Sequence, residues 1–502
     1  MKLKNPFMSR RWVASLVLLA SVPTWLAAPV VAQPVGLPSL GSTSNADLSP
    51  ALERALGESI IAQGRRDPTF VHDPEINQYL NGMGRKLAKY AQGGVPHIDV
   101  FGVRDPVFNA FALPGGYIGV NTGLIVQSES ESELAGVMAH EIAHVTQRHV
   151  ARGLTQERQS SHIAMASVAA ALLAALAGGA NVAAGVAAFG QAAAIDQQLG
   201  FSRDAEREAD RVGFHMLGKS GYDPKGMQDM FAKLMGSAQF NMGTSGGNAY
   251  VSTHPLSVDR MTDMQNRTQL LQSKTYQSSA AFWYVQAKAL IIQTTDRSDL
   301  IRVIEKLQDQ GRRFSGAQRS AAWLALSDLA MRKRQFTDAQ RFLQYARQGV
   351  SDSPYIERQA ADLALASGQA QSALTTSQRA LSRWPSHRAL ALVQAQALMK
   401  LKRYAEAVRF LRQQIKRWPT ESPVFYQMLA TSLAESGQPA EARWAMADYY
   451  ILTGAFVAAM SQLQQARDKT DDFHEKSKLD VAIRNLKARM QQEQALLEKF
   501  NG

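Results

Sequence analysis

The chain has 502 residues, 45% of them hydrophobic and 20% charged, a globular balance with room for two or three domains of about 100 to 200 residues. With no cysteine, disulfide frameworks, iron–sulfur clusters, Cys-ligated zinc and thiol catalysis are excluded, and any metal must be held by histidines and carboxylates. The net charge of +12 is uneven: residues 33–280 hold 19 basic and 22 acidic side chains, whereas residues 281–502 hold 32 and 21.

Residues 1–32 carry Lys2, Lys4, Arg10 and Arg11 with no acid, then an apolar run and a small-residue exit at Val30 and Ala32. This predicts a secretory signal peptide cut after Ala32 and a chain exported to a bacterial periplasm. Pro23 and Pro29 interrupt the apolar run, and no Cys follows for lipid attachment, so a soluble exported product is expected. Residues 33–47 are rich in Pro, Gly and Ser and read as a linker. Apolar positions at helical spacing then predict helices over 51–63 and 73–90, the second capped by Asp73. Alternating β-branched and aromatic residues predict strands over 97–103 and 107–113, and Pro114, Gly115 and Gly116 turn the chain into a third at 117–120.

The next predicted helix opens on Ser130 with Glu133 three residues later, a capping-box pattern, and contains His140, Glu141 and His144 as HExxH. Positions four apart on a helix differ by about 40° around its axis, so both imidazoles point the same way and can share one metal ion. The alternative is a helix with two surface histidines. Glu141 stands beside that face, in reach of a metal-activated water whose proton it could take. His149 falls about 140° off the ligand face and is expected as a solvated helix residue. Downstream, Ser202 opens a helix holding Asp204, Glu206, Glu208 and Asp210. Either this is a solvated charged face, or Glu206 and Asp210, four apart, serve as a zinc ligand and a partner orienting a ligand histidine. Glu208 points about 160° away from that pair.

HExxH followed by Glu206 to Asp210 as ExxAD resembles the zinc peptidases of the CAAX-protease and HtpX type. The stretch 109–124 resembles the strand and hairpin before the metal helix of that family, and Ser252, Thr253, His254 and Pro255 with Arg260 resemble its later element. The resemblance implies a gluzincin-type domain over residues 48–272, one Zn2+ per chain on His140, His144 and Glu206, Glu141 as general base and Asp210 as support. It further implies that Asn109, Ala110 and Phe111 form the strand on which an unfolded substrate lies extended. His254 is either an oxyanion donor or a displaceable extra zinc ligand that keeps the enzyme latent. Arg260 either stabilises the oxyanion or anchors the His254 loop.

Residues 163–195 carry no charge and are dominated by Ala. Each half is too short and too poor in Leu and Phe for a spanning helix, so two short helices are expected, packed on the peptidase domain or lying on a membrane surface. This departs from the membrane-integral relatives. Residues 243–247, GTSGG, read as a flexible loop. After residue 272 the pattern is wholly helical. Ala339, Ala373 and Ala407 recur at a period of 34, as do Pro385 and Pro419, and Ala442 continues the series, which is the tetratricopeptide signature. Residues 280–495 are therefore expected to form an α-solenoid whose groove binds partners. The many basic residues of 379–417 either attract acidic partners or anionic lipid, or are solvated outer faces.

The predicted fold class is mainly α with a small β-sheet. A zinc peptidase joined to a tetratricopeptide array behind a signal peptide resembles periplasmic peptidases of outer-membrane protein quality control. That implies degradation of unfolded or misassembled β-barrel chains, contact with the barrel-assembly machinery through the array, chaperone activity, and no nucleic-acid partner. The alternative is a mainly non-proteolytic chaperone or scaffold with a latent peptidase site.

Overall fold

The computed structural model describes residues 49–91, 97–149, 151–152, 202–240, 250, 254–271 and 274–501. The expected signal peptide and linker, the uncharged segment 163–195, the loop 243–247, and Ser252 and Thr253 lie outside the described residues.

Helices α1 (Pro50–Gly64) and α2 (Pro74–Ala88) both start with proline, where a missing N–H costs nothing, and both are capped: the Ser49 side chain accepts from Leu52 N, and Asp73 from Glu75 N and Ile76 N. Strands β1 (Asp99–Val103), β2 (Ala110–Leu113) and β3 (Tyr117–Asn121) follow. Their order is β1-β3-β2, with β2 and β3 antiparallel and β1 parallel to β3. The hairpin turn needs glycine, because Gly115 and Gly116 have φ of 78° and 87°. The first two strands begin later than expected, at Asp99 and Ala110, and the third runs one residue further, to Asn121. Pleating sorts the sheet's side chains: Val100, Ala110, Ile118 and Val120 join the core under α2, while Phe101, Phe111, Leu113 and Tyr117 pack with Leu56 and Ile60 of α1.

Helices α3 (Thr122–Gln127) and α4 (Glu131–Thr146) come next, then α5 (Arg203–Lys219), α6 (Lys225–Phe240) and α7 (Val258–Gln269). The capping box at α4 forms with a shift: Ser130 Oγ accepts from Glu133 N at 3.2 Å, but Glu133 Oε2 accepts from Glu129 N at 2.8 Å. Helix α4 is buried on all sides from Glu131 to His144. Helix α5 lies close against it because position 213 is glycine; a Cβ there would stand 3.0 Å from Ala139 O and 3.1 Å from His140 N.

The rest is helical: α8 (Ala280–Gln293), α9 (Arg297–Arg313), α10 (Gly316–Arg332), α11 (Phe336–Gly349), α12 (Pro354–Ala366), α13 (Ala370–Arg383), α14 (Arg388–Lys400), α15 (Tyr404–Arg417), α16 (Pro423–Glu435), α17 (Pro439–Leu452), α18 (Phe456–Asp468) and α19 (Phe473–Asn501). Ala339, Ala373, Ala407 and Ala442 each occupy the fourth position of α11, α13, α15 and α17, and all are buried, so the period marks helix-pair contacts. Among the described residues no helix is long and apolar enough to cross a membrane.

Helix α8 joins the two parts. Phe282, Val285 and Ala289 enter the core that holds α4, while Tyr284, Leu290 and Ile291 start the first core of the array. Glu131, in the first turn of α4, accepts from Tyr79 Oη at 2.9 Å and from Ser279 N and Oγ at 2.7 and 2.8 Å. The array then curves back: Gln78 Nε2 donates to Ser386 O at 2.6 Å, the Arg65 guanidinium to Thr420 O and Leu452 O at 2.9 Å, and Ser59 Oγ to Glu493 Oε1 at 2.7 Å. The inner face of the array is thus partly occupied by α1 and α2, leaving a cavity of about 660 Å3 lined by Arg65, Phe70, Phe101, Arg388, Tyr449 and Tyr450.

Several of the basic residues of the array are paired at home. Arg379 meets Glu357, Arg383 meets Asp352, Arg403 meets Glu406 and Arg412 meets Glu441. Arg388 departs from both expectations for this group: it is 3% exposed and bonded to Glu421, because its helix faces α2.

Candidate metal centre

Four buried side chains converge: His140 and His144 from α4, Glu206 from α5, and His254 from the turn before α7. The two imidazole Nε2 atoms are 3.0 Å apart. Glu206 stands 3.4 Å from His140 Nε2 and 3.5 Å from His144 Nε2, and His254 Nδ1 lies 2.9 Å from Glu206 Oε1 and 3.4 Å from His140 Nε2. Tetrahedral zinc with ligands at about 2.0 to 2.1 Å has its ligand atoms roughly 3.3 Å from one another, so this donor set fits the ion in both chemistry and spacing.

The charge balance also favours a cation. Glu141, Glu206 and Asp210 are buried, with Arg260 as the single guanidinium among them in the described residues. Burial opposes a proton on His140, yet Asp210 and Glu206 outweigh it and push the pKa up to about 10, while burial and the charge on His140 drive His144 well below its ordinary value. His140 takes up charge because the carboxylates lack it, and a metal ion supplies the same charge.

Glu141 touches the cluster without joining it. Its Oε1 accepts from Tyr250 Oη at 3.2 Å and lies 3.5 Å from His254 Nε2, and its Oε2 is buried with no hydrogen-bond partner among the described residues. Burial raises its pKa against the pull of His254 and His140, which suits a group that must accept a proton. Tyr250 escaped the sequence reading. Its signal was its place four residues before His254, and His254 N donates to Tyr250 O at 2.8 Å.

Asp210 and Arg260 stand behind the cluster. Asp210 Oδ1 is 3.0 Å from His140 Nδ1, and the Arg260 guanidinium grips both Asp210 oxygens at 2.7 and 2.8 Å. Arg260 Nη1 also reaches Glu206 Oε2 at 2.8 Å and donates to Pro255 O at 2.8 Å. These contacts tie Arg260 to the loop carrying His254.

His149 contradicts its sequence expectation. It is 2% exposed, not solvated, and its Nδ1 lies 3.0 Å from His144 Nδ1. The helical extrapolation fails because α4 ends at Thr146 and Arg148 takes a φ of 53°, which turns the chain back on itself. Asn109, Ala110 and Phe111 lie outside the cluster. Ala110 and Phe111 belong to β2, an edge strand of the sheet, Asn109 directly precedes it, and all three side chains are buried, which leaves only their backbone for strand pairing.

Residues 74–268 match peptidase family M48, and residues 364–424 match a tetratricopeptide repeat. The chain carries an M48 peptidase domain. HExxH, ExxAD and the His254 turn all fall inside this M48 match. The chain is similar to the β-barrel assembly-enhancing protease of Escherichia coli K12, 31% identical over 330 residues that make up 65% of this chain and 66% of that relative. The Yersinia pestis protein of the same name is 27% identical over 86% of this chain and 87% of its own, and a putative Vibrio cholerae counterpart is 37% identical over 48% and 49%. The chain spans about two thirds of the length of the Escherichia coli relative.

Proposed function

We propose that this chain is an exported, periplasmic zinc endopeptidase and chaperone that degrades outer-membrane β-barrel proteins which fail to assemble. The observation that carries the reading is the buried His140, His144, Glu206 and His254 cluster with Glu141 beside it. The name shared by its relatives, β-barrel assembly-enhancing protease, points to the substrate class.

His140, His144 and Glu206 would hold one zinc ion, which when bound supplies Lewis acidity to a peptide carbonyl and to water. Glu141 takes the proton of the attacking water at Oε2. Asp210 holds the His140 ring, and Arg260 holds Asp210, Glu206 and the His254 loop. The backbone of Asn109, Ala110 and Phe111 pairs with an extended substrate as an added strand, which reads main chain rather than sequence. A peptidase domain over 48–272 works with an array over 280–495 that contacts the barrel-assembly machinery, with 163–195 available for peripheral membrane contact.

His254 supports a second reading. Seated as a fourth ligand, it fills the position a substrate needs, so the resting chain is latent and works mainly as a non-proteolytic chaperone until the loop is displaced. The test is cleavage of an unfolded outer-membrane barrel protein by the purified chain, beside Glu141→Gln and a chelator control. Cleavage lost in both controls supports the endopeptidase; no cleavage by zinc-loaded wild type and by His254→Ala alike rejects it.

A further inference from the structure

His149, Glu208 and Arg152 have no part in the reaction above, yet they form a connected group directly behind one of its proposed ligands. Nε2 of His144 faces the cluster, and its Nδ1, on the other edge of the ring, is 3.0 Å from His149 Nδ1. Nε2 of His149 is 3.2 Å from Glu208 Oε2, and Arg152 Nη1 donates to the same oxygen at 2.8 Å.

The direction of each bond follows by elimination. A neutral imidazole carries one N–H, and His144 must keep Nε2 bare to offer its lone pair to a cation, so its proton sits on Nδ1. That N–H can donate only to a bare nitrogen, so His149 is unprotonated at Nδ1 and protonated at Nε2. The His149 Nε2–H then donates to the Glu208 carboxylate. This arrangement of the two rings satisfies each of these contacts with His144 in the tautomer that binds a metal.

We infer that His149 and Glu208 are positioning residues, a His144–His149–Glu208 chain that fixes the tautomer and plane of His144 for the metal. The inference rests on the reading of His144 as a ligand. It gives the two ligand histidines of α4 matching support: His140 is backed by Asp210 and Arg260, and His144 by His149, Glu208 and Arg152. Both carboxylates, Glu208 and Asp210, come from α5, one either side of Ala209, so one helix supplies a ligand and both supports. The Arg148 turn is what lets His149 fill its place.

The test measures zinc affinity of the full chain by competition with a chromogenic chelator, with thermal unfolding as a check on folding. His149→Phe fills the same space without hydrogen bonding and should weaken zinc about 10- to 100-fold. His149→Gln, which both accepts and donates, should recover most of that loss. Glu208→Gln should weaken zinc about tenfold without unfolding the chain. Equal losses in His149→Phe and His149→Gln would assign His149 to packing alone, and unchanged affinity in a folded Glu208→Gln would overturn the chain of contacts even if the His149 variants fail to fold. His144→Ala separates the two claims: wild-type affinity there rejects His144 as a ligand, whereas lost affinity there with an intact His149→Phe rejects only the positioning role.

Discussion

Glu75 and Arg358, 283 positions apart, meet at 3.1 Å in the interior between α2 and α12. Lys288 of α8 reaches the same carboxylate at 2.6 Å, and His387 stands 3.7 Å away. One acid on a helix of the peptidase part therefore ties together three places in the array. Glu75→Gln leaves Arg358 and Lys288 buried with less counter-charge, and the chain should lose about 3 kcal/mol of stability, at the low end for a broken buried pair because Asp362 and Asp73 remain bonded to them. Denaturant unfolding of the variant against wild type checks this, and a change under about 0.5 kcal/mol, the scale of surface substitutions, would contradict it.

The same cluster predicts a two-stage loss of stability in acid. Burial raises the Glu75 pKa, but Arg358, Lys288 and His387 outweigh it and hold it at about 2, against 4.5 for a free carboxyl. Its contribution is fully present above pH 4.5 and is lost as pH falls toward 2. His387 is pushed down to about 4, chiefly by burial, so the unfolded chain takes up a proton that the folded chain refuses between pH 6.5 and 4. Stability should begin to fall below pH 6.5, and His387→Gln should flatten that upper stage while leaving most of the lower one, which Arg358 and Lys288 sustain. An upper stage of equal size in the variant would remove His387 from the explanation.

Glu141 is proposed as a base beside the ligands rather than among them. Glu141→Gln should therefore lower cleavage by about 10²- to 10⁴-fold with metal content near that of wild type. Glu206→Ala should instead lose the metal. Elemental analysis of both variants decides, and metal loss in Glu141→Gln would move that residue into the ligand set.

His254 lies between Glu206 and Glu141, held through Pro255 by Arg260. If it blocks the site, His254→Ala should raise the cleavage rate while His140 and His144 retain zinc. A fall in rate with zinc retained would give His254 the oxyanion role.

The HExxH face, the pairing of Glu206 with Asp210 and the 34-residue repeat were legible in the sequence because each depends only on local helix geometry. Four residues along an unbroken helix always return to one face, whatever surrounds it. The same rule misplaced His149, since the helix stops at Thr146 and the left-handed Arg148 redirects the ring. No local pattern could tell that Gly213 lets α5 approach α4 closely enough for Glu206 to reach both histidines.

What the sequence alone determined is the chemistry available: no thiols, a histidine and carboxylate donor set, one base, and a stack of small-residue helix pairs. Tertiary structure decided how these meet. The seat of His254 against Glu206, the grip of Arg260 on Asp210, and the return of the array onto α2 through Glu75 and Arg358 all join residues far apart in sequence. Such contacts depend on crossing angles and on curvature accumulated from one repeat to the next, quantities that arise only when packed faces meet.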